Sequence, residues 1–119
     1  MSVDMVNHPK HYNSHPSGME VIEVTRYLSF DLGNAVKYMM RHGHKGSSKQ
    51  DLEKATWYLR DHITAFGYVA DVNRIAAQNL RTMIGYTPDD PLHDVLTFIA
   101  MGAIGTALRG LEKHLDESP

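Results

Sequence analysis

The chain has 119 residues, a formal charge of −2 with its histidines neutral, eight histidines and no cysteine. That length supports one domain around one core, not two. The missing thiols exclude disulfides, thiolate zinc sites and cysteine nucleophiles. The acidic balance disfavours a general nucleic-acid or membrane binder, which carries a strongly basic face.

Apolar runs fall short of a membrane span, and "MSVDMVNHPK" shows no basic stretch followed by an apolar one. A cytoplasmic protein without a membrane partner is the expectation. Residues 1–16 hold "NHPKHYNSHP", with two prolines, two asparagines and no helical period, and read as an irregular N-terminal arm. Ser17 then opens S-G-M-E, a capping-box pattern with Glu20 three residues on. Val21, Ile22, Val24, Tyr27 and Leu28 follow at the spacing of one face of a short helix. Their β-branched content leaves a strand open, and the cap favours the helix.

Ser29 or Asp31 can cap a second helix to about His42, with Leu32, Ala35, Val36, Met39 and Met40 as its buried stripe. Gly43 is placed to end it, and "GHKGSSKQ" reads as a flexible connection. Ser48 and Asp51 cap a third helix whose apolar positions are Leu52, Ala55, Leu59, Ile63 and Phe66. Gly67 leaves two readings for residues 48–84. Either one helix continues through Ala70, Ala77, Leu80 and Ile84, since an internal glycine costs only about 1 kcal/mol, or two helices meet there. Gly85 ends the segment, and "YTPDDP" is a turn.

Asp89 or Asp90 caps a final helix with Pro91 at its first position. It runs from Leu92 to Leu115 and carries Gly102 and Gly105 on its middle turns, where small residues permit close approach. This stretch is apolar over more than one stripe. Burial against a second subunit and burial inside one bundle both account for that. The expected architecture is all-α: a small helical bundle with an irregular N-terminal arm, forming a homo-oligomer. Its parts are residues 1–16 as arm, 17–66 as core and 67–119 as C-terminal, oligomerising helices.

The stretch "GNAVKYMMRHGHKG", residues 33–46, gathers two histidines, two lysines and an arginine where a helix runs out into glycine. Lys37, Arg41 and His44 step by four and three and share a face, and Lys45 extends the group into the loop. One account is a solvated face with salt bridges to Asp31 or another helix. The other is an anion site, in which arginine offers a planar fork and lysine a compact charge to phosphate oxygens. Lys54 and Tyr58 share a face of the third helix away from its apolar stripe. If the two helices form a hairpin, that pair completes a site with Lys37 and Arg41, and the tyrosine offers a surface to a base or ribose.

No metal is expected. His8, His11 and His15 lie in a proline-containing arm, and His93 with Asp94 lacks further ligands at recognisable spacing. Neither a G-x-x-x-x-G-K-[ST] loop nor a G-x-G-x-x-G turn occurs, and no G-x-S-x-G elbow occurs either. Phosphate handling would rest on side chains and helix ends.

Four blocks in order, "HPKHY", "MEVIEV", "GNAVKYMMRHGHKG" and "DLEKATWYL", resemble a small phage-encoded family of formerly unknown function, often labelled nucleotide kinases. The resemblance covers about residues 8–62 and stops short of the C-terminal helices. It implies a protein of the infected bacterial cytoplasm whose ligand is a phosphorylated nucleotide. Carried across by position, it picks out His11, Tyr12, Glu23, Asn34, Lys37, Tyr38, Arg41, Lys45, Asp51, Lys54 and Tyr58. The candidate nucleotide-binding set is therefore His11, Tyr12, Asn34, Lys37, Tyr38, Arg41, His44, Lys45, Lys54 and Tyr58, with no catalytic residue assigned. Two functions share that site. One is sequestration of a linear or cyclic nucleotide signal, as a counter-defence sponge without a cofactor. The other is a nucleoside monophosphate kinase without a Walker loop, which would use Mg²⁺ approached by Glu20 or Glu23.

Overall fold

A computed structural model of the protein describes residues 15–42 and 49–117. The histidine-rich arm with His11 and Tyr12, and the loop with Gly43, His44 and Lys45, lie outside the described residues. The order is α1 (Ile22–Thr25), α2 (Phe30–His42), α3 (Lys49–Phe66), α4 (Arg74–Gly85), α5 (His93–Ala100) and α6 (Ile104–Glu117). Among the described residues the only strand-like pairing is an isolated antiparallel bridge between Val69 and Ala103. The all-α expectation holds. No described helix is long and apolar enough to cross a membrane.

The entry to α1 differs from the expected capping box. Ser17 Oγ accepts from the Met19 N–H at 3.1 Å, closing a turn. Glu23 Oε2 accepts from the Glu20 N–H at 2.7 Å, just ahead of the N-cap Val21, which has no side-chain cap bond. The helix is a single turn because Ile22, Val24 and Thr25 are all β-branched and lose rotamer freedom in a helix. Val21 and Val24 are buried, whereas Ile22 and Tyr27 are exposed.

Ser29 caps α2, its Oγ accepting from the Leu32 N–H at 3.4 Å. Leu32, Ala35, Val36 and Met39 are buried as their spacing predicts, and Met40 packs at the edge. Leu52, Ala55 and Leu59 bury the facing stripe of α3. The two helices form the most extensive pairing in the fold, the hairpin on which the expected site depends. Phe66 departs from its stripe and is exposed. It is the last residue of α3, and the chain turns away at Gly67 before any element can cover it.

Residues 48–84 are two helices. Gly67 takes φ +99°, and a new helix begins only at Arg74, where Asn73 Oδ1 accepts from the Ile75 and Ala76 N–H groups. The expected single final helix is also two. The N–H of Gly102 bonds Ile99 O and that of Ala103 bonds Phe98 O, both at 2.9 Å, the pair of bonds that marks a Schellman stop. Pro91 lies ahead of α5 instead of opening it, with Asp90 Oδ1 accepting from the Leu92 N–H at 2.8 Å.

Gly102 and Gly105 do permit a close approach, but to a loop. The Ala70 N–H donates to Gly102 O, and the Gly105 N–H donates to Tyr68 O, each at 2.9 Å. The breadth of apolar character in this region is met within one chain: Leu92, Val95, Leu96, Ile99, Ile104, Ala107 and Leu111 are all buried. Burial inside the bundle thus accounts for the feature that had suggested a second subunit. Arg60 Nη2 donates to Glu112 Oε2 at 2.6 Å between α3 and α6. The pair is largely in water, so it contributes no more than about 1 kcal/mol.

Candidate functional site

The α2–α3 hairpin brings together five of the predicted residues. Tyr38 on α2 and Tyr58 on α3 stack with ring centroids 6.0 Å apart and planes 13° from parallel. Both are half-buried against the core, which fixes their register. Around the Tyr38 ring stand three cations. Lys37 Nζ is 4.8 Å from its centroid, Lys54 Nζ 5.3 Å and Arg41 Cζ 6.0 Å. Each cation–π contact of this kind contributes about 0.5–1 kcal/mol where exposed.

Those contacts do not neutralise the charge. Among the described residues, Lys37, Arg41 and Lys54 have no ion-pair partner. Arg41 Nε is buried and has no hydrogen-bond partner among the described residues, and a buried donor left unpaired costs about 1–3 kcal/mol. Three like charges around one ring also repel.

Asp31 does not serve these cations. It is buried at the start of α2 and shares a hydrogen bond with Asp61. Burial pushes its carboxyl above the ordinary range, Asp61 pushes it further through the hydrogen bond and charge repulsion, and His62 opposes. The native state therefore holds this proton over a pH range in which the unfolded chain has released it, so the group's contribution to stability falls as pH rises through that range. Asp31→Asn removes the dependence. Its urea midpoint relative to the wild-type protein is expected to climb as pH rises above about 4, the usual carboxylate range. A difference that stays flat with pH would reject this account.

Two hollows meet the cationic ring. One, of about 300 Å³, is lined by Tyr38, Lys54, Trp57 and Tyr58. The other, of about 210 Å³, is lined by residues that include Ser29, Phe30, Asn34 and Lys37. Asn34 Nδ2 donates to Phe30 O at 2.8 Å, so that amide nitrogen is committed to its own helix. Glu23 Oε2 accepts from the Glu20 N–H at 2.7 Å, and the Glu23 carbonyl accepts from Asn79 Nδ2 at 2.9 Å.

The sequence reading missed Phe30 and Trp57. Phe30 is 76% exposed and lies 6.0 Å from Tyr58, edge to face. Trp57 is 59% exposed and lies 5.1 Å from Tyr58, also edge to face. The signal was present: Phe30, Asn34, Lys37 and Arg41 step by four, three and four along the polar face of α2. An aromatic ring on such a face has no core to join.

His15 is not poised for a metal. Its Nδ1 bonds Ser17 Oγ at 2.7 Å and accepts from the Ser17 N–H at 3.1 Å, both within one turn. Burial lowers its proton affinity, against the pull of Asp90. Among the described residues no group of three histidines and carboxylates is placed to hold a metal ion.

The residues of this face lie within a longer stretch of sequence that has a family match. Residues 6–60 match a family described as a protein of unknown function, DUF3310. The DUF3310 match covers α1, α2 and α3 as far as Arg60, and every residue of the predicted set falls inside it. It ends before α4, α5 and α6. No curated protein and no solved structure gives a match to the chain.

Proposed function

We propose that this protein captures a phosphorylated nucleotide on the α2–α3 face and holds it unchanged. The observation that carries the reading is the stacked Tyr38–Tyr58 pair ringed by Lys37, Arg41 and Lys54 without carboxylate partners among the described residues. Phosphate oxygens replace the missing counter-charge through charge-assisted hydrogen bonds. The exposed rings of Trp57 and Phe30 offer faces for a base, and such stacking contributes about 1–3 kcal/mol per base. What the face supplies is recognition chemistry, ring surface beside cations. The resemblance to phage-encoded nucleotide proteins supports a counter-defence role in the infected bacterial cytoplasm, with a cyclic nucleotide signal as ligand. A two-fold homo-oligomer would present paired faces to a nearly two-fold dinucleotide.

Mass spectrometry tests this against the kinase alternative. The protein is incubated with cyclic dinucleotides, or with nucleoside monophosphates plus ATP and Mg²⁺, separated from free ligand and then denatured. Release of unchanged ligand on denaturation is the expected result. New nucleoside diphosphate would overturn capture in favour of phosphoryl transfer.

A further inference from the structure

The two hollows beside the cationic ring are built from different parts of the chain. The larger, of about 300 Å³, takes Tyr38 from α2 and Lys54, Trp57 and Tyr58 from α3. The smaller, of about 210 Å³, lies along the end of α1, the turn after it and the start of α2, with Phe30 and Lys37 on its wall. No described residue lines both. Two contacts nonetheless join them. Phe30 meets Tyr58 edge to face at 6.0 Å, and Lys37 Nζ lies 4.8 Å from the Tyr38 centroid.

Each hollow therefore holds one lysine and one exposed ring, Lys54 with Trp57 in the larger and Lys37 with Phe30 in the smaller. Small-molecule sites usually measure about 300–1,000 Å³; one hollow stands at the bottom of that range and the other below it. Each suits a single base. The two ammonium groups converge on the same ring, within 5.3 Å of the Tyr38 centroid. An anion held there has a stacking ring within reach in each hollow.

We propose that one chain binds a dinucleotide across the two hollows. One base stacks on Trp57, the other on Phe30, and the phosphate that joins them rests between Lys37 and Lys54. This rests on nucleotide capture by the α2–α3 face and adds how many bases a single face reads. The chain's formal charge of −2 favours a short ligand over a long polyanionic strand.

Trp57 is the only tryptophan in the sequence, so its emission reports on the larger hollow. The full chain is titrated with the linear dinucleotides pApA, pGpG, pCpC and pUpU, with their cyclic 3′–5′ counterparts, and with the matching nucleoside 5′-monophosphates. Calorimetry gives the stoichiometry. At least one dinucleotide is expected to quench Trp57, to bind once per chain, and to bind about tenfold or more tightly than its monophosphate. Preference for a cyclic form identifies a signal as the source, and preference for a linear form identifies a fragment of degraded nucleic acid; both support the proposal. Phe30→Ala and Trp57→Ala, at exposed positions, should each lower dinucleotide affinity to about that of the monophosphate with helical circular dichroism unchanged. Equal affinity for dinucleotide and monophosphate would overturn the two-base site and leave capture standing. So would one dinucleotide per two chains, or full dinucleotide affinity in either variant. Binding by none of these nucleotides would overturn capture itself, and the two-base site with it.

Discussion

Arg41→Ala is expected to weaken nucleotide binding by about 1.5–3 kcal/mol, the usual contribution of a hydrogen bond to a charged group. That corresponds to a loss of roughly ten- to a hundredfold in affinity. Lys37→Ala should behave alike, because both cations flank the Tyr38 ring. Neither substitution removes apolar burial, so helical circular dichroism should persist in both. Calorimetric titration with the nucleotide released in the capture experiment measures the change. Unaltered affinity in both variants would remove the α2–α3 face from the binding site, and collapse of the helical signal would assign the cations a structural role.

Gly102→Ala should be strongly destabilising, because the residue is buried at the corner between α5 and α6. The residue sits at φ +79°, a region that costs an L residue roughly 1–2 kcal/mol. A Cβ there would also lie 2.1 Å from the carbonyl oxygen of Ala70. Neither atom belongs to a flexible side chain, so the loop between α3 and α4 must separate from the α5–α6 corner. Gly67→Ala is the matched control. It has φ +99° but open space around the added carbon, so only the backbone strain of roughly 1–2 kcal/mol applies. Urea unfolding should place Gly102→Ala well below Gly67→Ala. Equal midpoints would mean that the loop yields without cost.

The helices of the N-terminal half are legible from short-range rules. Leu32, Ala35, Val36 and Met39 recur at helical spacing, Ser29 stands where a cap is needed, and both features appear in the fold. The site is legible to the same extent. Spacing alone puts Lys37 and Arg41 on one face of α2 and Lys54 and Tyr58 on one face of α3. That these faces adjoin is a property of the α2–α3 pairing, which helical spacing does not specify. The breaks are harder to read. Apolar periodicity runs through Gly67 and Gly102 as if each helix continued, because residues on both sides join the same core. Only the left-handed glycine conformation, which composition does not reveal, separates α5 from α6. His62, one turn beyond Tyr58, carries no mark in the sequence of the burial it meets in the fold.

The two backbone bonds between the Tyr68–Ala70 segment and the Gly102–Gly105 corner have a consequence for how the molecule comes apart. A seven-residue linker between helices would ordinarily fray first and act as a hinge. Here its amides are tethered to the junction of the last two helices, so the linker can open only when that junction opens. Amide protons on either side of the stitch therefore share one protection level, and the linker melts with the C-terminal pair as a single cooperative unit.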